Sequence, residues 1–107
     1  MRSVEHRAAM KGRGNHDPRV AGLRVAVFQL RRELAAHPAE FPDRGIAEDE
    51  LAALSAMALG GAPEIRRLRR SLLLVAAAIG SVSALASGLA RVRYAVELFG
   101  DQQPRPH

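Results

Sequence analysis

The sequence predicts an all-α protein, an antiparallel three-helix bundle with a long third helix. Three observations carry that expectation. From Pro63 to Phe99 one line of large apolar residues recurs at steps of three and four: Ile65, Leu68, Leu72, Val75, Ile79, Val82, Leu85, Leu89, Val92, Val96 and Phe99. That spacing is the seam of a helix packed on other helices in a coiled-coil-like stripe, and the extra step of three between Val82 and Leu85 is a stammer in it. A shorter stripe of the same kind runs through Val20, Leu23, Val27, Leu30 and Leu34. Ala, Leu and Arg dominate the composition while aromatics make up only 4%. Helix formers therefore outnumber the residues that favour sheets.

Residues 1–16 carry Arg2, Arg7, Lys11 and Arg13 among glycines and polar residues, without apolar periodicity. They are expected to form a disordered basic tail, with Met10 as an alternative start. No apolar run resembling a secretory signal occurs there, so a cytoplasmic location is the default expectation. The helical domain is expected over residues 17–100.

Helix 1 begins at Asp17, which can cap, followed by Pro18, which suits the first helical position. It ends at His37-Pro38, because a residue before proline is pushed out of the α region. Arg24, Arg31, Arg32 and Glu33 lie off its stripe, and so do Val25 and Phe28, a second greasy flank. Phe41, in the loop that follows, is expected to plug one end of the bundle. Helix 2 is expected from about Ile46 to Leu59, with Ile46, Glu50, Ala53, Leu54 and Met57 on one side and Leu51 and Ala58 beside them. Glu48, Asp49 and Glu50 are expected in its first turn, where negative charge complements the helix dipole.

Gly60-Gly61 stops helix 2 and Pro63 restarts a helix. A continuous helix 3 would be about 55 Å long at 1.5 Å per residue, more than twice helix 2. Helix 2 can then cover only its first half. The second half needs helix 1 or a second copy of the chain, unless Gly80, Ser81 and Ser83 kink the helix or fold it back as two. Ala76, Gly80, Ala84 and Gly88 form a ridge of small residues on which another helix can approach closely. Gly100 ends the helix, and residues 101–107 are expected to be a C-terminal tail.

With 107 residues, the chain is expected to hold one domain. It contains no cysteine, which removes disulfides, thiol catalysis and Cys-ligated zinc. His6, His16, His37 and His107 show no ligand spacing, and Gly12-Arg13-Gly14 lacks the length and the Lys-Ser/Thr of a phosphate loop. Ser71, Ser81, Ser83 and Ser87 are small packing residues of a helix, and Arg93 with Glu97 is an ordinary i,i+4 pair. No catalytic, metal or cofactor residue and no small-molecule substrate is expected.

Arg66, Arg67, Arg69 and Arg70 stand in the first two turns of helix 3, where the dipole disfavours positive charge. They are either a solvated, ion-paired face or a contact for an anionic partner. Nucleic-acid backbone is one such partner, though no helix-turn-helix signature and no aromatic interleaving accompanies them. Ser71 to Ala90 is an uncharged run of the length that spans a bilayer, but its serines and glycines make insertion marginal. A spanning or interfacial helix over 71–90 is thus the alternative reading.

The stretch Arg69 to Gly100, with its Ala/Gly/Ser-rich helix ending in Leu-Phe-Gly, resembles small uncharacterised all-helical proteins of high-GC actinobacteria. In those a Leu-Arg-rich helix and an acidic helix come first, and Arg32 to Pro38 fits the end of the former. The resemblance implies an all-α module without a known reaction and transfers no site residues. The function expected is a non-enzymatic protein–protein interaction module. It would self-associate, as a homodimer, through Leu85, Leu89, Val92, Val96 and Phe99, or hold another partner protein.

Overall fold

The computed structural model describes residues 17–100 apart from 39, 61 and 62. The two expected tails lie outside the described residues, as does Gly61. The described chain is all-α: helices α1 (Pro18–Ala36), α2 (Arg44–Leu59), α3 (Ile65–Ile79) and α4 (Ala86–Gly100), with a 3-10 turn at Ser83–Leu85. There is no strand among the described residues.

Helix α1 forms where its signals agree. Asp17 accepts a hydrogen bond from the backbone N–H of Arg19 at 2.9 Å, Pro18 occupies the first turn, and His37 is extended ahead of Pro38. Its whole stripe is buried: Val20, Leu23, Val27, Leu30 and Leu34. Helix α2 starts earlier than expected, at Arg44 behind Asp43. Its buried line is Ala47, Leu51, Leu54 and Ala58, one residue away from the side expected through Ile46, which is 48% exposed. The earlier start also leaves no acidic residue in the first turn, so Glu48, Asp49 and Glu50 lie beyond the reach of the dipole's first-turn effect. Helix α3 starts at Ile65 behind Glu64, two residues after Pro63.

The expected long third helix is two helices, and the bundle formed by the described residues has four members rather than three. The α3 ladder ends at Gly80, whose N–H reaches the Ala76 carbonyl at 2.7 Å. Val82 is then extended (φ −93°, ψ 99°), and the N–H groups of Val82 and Leu85 bond back three residues to Ile79 and Val82, at 2.9 Å each. One extended residue among Gly and Ser, poor helix formers, turns the chain back on itself. The seam nevertheless survives the corner. Leu68, Leu72, Val75 and Ile79 before it, and Leu85, Leu89, Val92, Val96 and Phe99 after it, all belong to one core, with Ile65 and Val82 packed at its edge.

Each helix packs on its neighbours in the chain, and α4 closes the ring against α1. Directions alternate. Arg44, opening α2, donates to the carbonyl oxygens of Leu34 and His37 at the end of α1. Arg69, near the start of α3, holds Glu97 near the end of α4. Arg19, at the start of α1, stacks on Phe99 at the end of α4. Phe41 caps one end as expected, half-buried on the core, with the Arg44 guanidinium 5.3 Å from its ring and His37 edge-on at 5.9 Å. Of the two glycines in the expected small-residue ridge, Gly88 serves close approach between helices. A Cβ there would meet Leu30 Cδ1 at 2.9 Å and collide with Glu33 Oε1.

Candidate partner interface

The residues expected to join two copies do not form an exposed face. Leu85, Leu89, Val92, Val96 and Phe99 are each 7% exposed or less within a single chain. The partner expected for the second half of the seam is supplied by α1. Folding the seam back gave it helices of its own chain to pack on, which removes these side chains as a docking surface.

The arginine cluster is divided. At 100° per residue, Arg69 faces α4, Arg66 points outward, and Arg67 and Arg70 flank the side turned to α2. Arg69 donates to both Glu97 carboxylate oxygens, at 3.0 and 2.6 Å. Glu97 thus pairs across the α3–α4 hairpin and not with Arg93 four residues back. Arg67 and Arg70 line a shallow cleft against α2, near Glu50. Arg66, Arg67 and Arg70 form no ion pair with a carboxylate among the described residues.

What the fold does assemble is an apolar face over α1. Val25, Phe28 and Tyr94 are 55%, 59% and 69% exposed. Val25 and Phe28 are the greasy flank of α1, and α4, running antiparallel beside it, adds Tyr94 and Leu98. Between the two helices lies a groove of about 690 Å³. Its floor is built of small residues: Ala21, Gly22 and Ala26 from α1, Ala90 and Ala95 from α4. The close approach at Gly88 brings the helices together at one end of it. A second hollow continues the face across α1 towards α2, bounded by Phe28, Arg24, Arg32, Ser55 and Leu59.

The rim is cationic. Arg32 stacks 5.8 Å from the Phe28 ring centre. Arg91 bonds Glu33 at 2.7 Å, beside Gln29 and Arg32. Arg24, Arg31 and Arg32 form no ion pair with a carboxylate among the described residues. Two carboxyls elsewhere are held in their charged form by arginine. Hydrogen bonds from the Arg19 guanidinium keep Asp17 below the ordinary carboxylate range, and those from Arg69 do the same for Glu97.

Among the described residues, no three His, Asp or Glu side chains gather as a metal site. No helix among them is long and apolar enough to cross a membrane. The corner at Gly80 to Val82 divides the uncharged run 71–90 between two antiparallel helices, so it is no single span.

Fold and surface together define a small all-α bundle with an open, cation-rimmed apolar groove. The chain belongs to a family of unknown function, DUF5955, which it matches over residues 12–100. No curated protein and no solved structure matches it.

Proposed function

We propose that the protein is a non-enzymatic helical interaction module that holds a partner protein against the α1–α4 groove. One observation carries this reading: Val25, Phe28 and Tyr94 stand more than half exposed on one contiguous face beside an unfilled apolar groove. A bundle with a well-filled core gains nothing in stability from large apolar side chains on its surface. Contiguous patches of this kind mark interaction sites, whereas single exposed apolar residues do not. The reading moves the contact face away from the seam of α4, which is spent on the core.

The test is a photo-crosslinking side chain placed at Phe28, with Leu73 on the outer face of α3 as control, in cells that make the protein. A discrete adduct from position 28, absent at 73 and lost when Val25→Glu is added, is the expected result. Identical adduct patterns from both positions would overturn the reading.

A second reading, contact with a nucleic-acid backbone, is favoured by Arg66 and Arg70, both exposed on α3 and without a carboxylate partner among the described residues. Affinity for duplex DNA that falls steeply with salt, and falls further on R66E/R70E, is its signature.

A further inference from the structure

Resting on the reading of the groove as a docking site, we infer that its occupant is an acidic amphipathic helix of another protein. Shape argues for a helix. The floor of alanines and one glycine carries no long side chain, so a helical backbone can lie close to it, while Val25, Tyr94 and Leu98 stand as walls. Such a slot accepts the apolar side chains of one helix face, spaced i, i+4 and i+7. The cationic rim extends the face along α1 from Ala21 to Ala36. That span is about 22 Å, or four turns of a docked helix.

Charge selects the kind of helix. Arg24, Arg32 and Arg91 border the face, against a single carboxylate among the described residues that line it, Glu33, which Arg91 already holds at 2.7 Å. Carboxylates flanking the apolar stripe of the occupant meet these guanidiniums, and lysines there are repelled. A second copy of the chain is disfavoured by the same arithmetic. Stacking this face on itself about a two-fold axis would bring two arginine-bordered rims together.

The experiment titrates the full chain, ¹⁵N-labelled, with two designed helical peptides of about 15 residues, sized to the four turns of the face. Both carry leucines at i, i+4, i+7 and i+11; one has glutamates on the flanks, the other lysines. The glutamate peptide is expected to shift the amides of Ala21–Gln29 and Ala90–Leu98. It should bind at least about tenfold more tightly than the lysine peptide, an advantage that shrinks as salt is added. Arg24→Glu with Arg32→Glu should reverse the preference. Both positions are exposed, and circular dichroism confirms that the variant remains folded.

Equal binding of the two peptides in the groove would overturn the acidic occupant while leaving the docking site standing. So would sedimentation of the free chain as a dimer with those same amides shielded. A monomer that takes neither peptide into the groove sinks both this inference and the function on which it rests.

Discussion

The guanidinium of Arg19 lies 4.9 Å from the centre of the Phe99 ring. The same group donates to both oxygens of Asp17, at 3.0 and 2.7 Å. One side chain thus ties the cap of the first helix to the last turn of the fourth, closing the ring of helices where no loop connects them. Phe99 is 6% exposed, so Phe99→Ala should cost about 3–4 kcal/mol through lost burial and a cavity. Arg19→Ala should cost about 1 kcal/mol. A double-mutant cycle by urea unfolding should give a coupling of about 0.5–1 kcal/mol between them. Strict additivity would mean that the stacking contributes nothing to holding α4 on α1.

Acid should weaken the fold through two arginine-held carboxyls. Asp17 and Glu97 have folded-state pKa values below their unfolded ones, so the folded chain binds fewer protons in acid than the unfolded chain does. Their contribution is complete above the unfolded values of about 3.9 and 4.3 and is lost as pH falls through the folded values. The Asp17–Arg19 pair is 28% and 31% exposed and the Glu97–Arg69 pair 44% and 51%. Solvent screens the second pair more. Asn caps a helix as well as Asp does, so Asp17→Asn isolates the charge. It should flatten the stability curve below about pH 4.5 more than Glu97→Gln does. Urea midpoints from pH 7 to pH 2.5 read this out, and equal flattening would show the exposure argument to be wrong.

The corner between α3 and α4 can be told from a continuous helix by the sign of one substitution. In an ordinary helix interior, Gly→Ala stabilises by up to about 1 kcal/mol. At Gly80 a Cβ would run into the carbonyl oxygen of Ala76, which is backbone and cannot swing aside. Gly80→Ala should therefore destabilise, by about 1–2 kcal/mol, as overpacking does. An increase in the unfolding midpoint would mean that the chain runs straight through this point.

How much of this was legible depends on whether a feature is local. Helix α1 was readable in full because Asp17, Pro18, the stripe from Val20 to Leu34 and the His37-Pro38 stop agree with one another. In α2 the stripe was misplaced by one residue. The large Ile46 attracted the seam, but the line through Leu51, Leu54 and Ala58 projects back to the small Ala47, 100° away. The seam from Ile65 to Phe99 was read correctly and its topology was not. The same apolar positions line the core whether the chain is straight or folded back, and the turn resides in the extended backbone of Val82. Pairing followed the same rule. Glu97 had a partner in reach at Arg93, and only the hairpin brings Arg69 closer. Half of the groove was visible as Val25 and Phe28 standing off the α1 stripe. The other half, Tyr94 and Leu98, emerges only once α4 lies antiparallel on α1.

That antiparallel contact between α1 and α4 depends on the missing side chain of Gly88, and its neighbours predict a graded response to refilling it. A Cβ there meets Leu30 Cδ1 at 2.9 Å and the tip of Glu33. The Glu33 carboxylate can swing aside, and buried Leu30 has to give only slightly. For Gly88→Ala, the gain in helix propensity of about 1 kcal/mol roughly offsets the cost of moving them. Stability should then change by less than about 1 kcal/mol, while Glu33 leaves its 2.7 Å bond to Arg91. Gly88→Leu has no such escape, because Leu30 is 0% exposed and packed on every side. It should cost about 2–3 kcal/mol by prying the helices apart. It should also widen the groove at its Arg91 end, so that amide exchange in Ala86–Ala90 speeds up more than in α2. Uniform exchange across all four helices would show that Gly88 affects global stability without acting as the point where α1 and α4 meet.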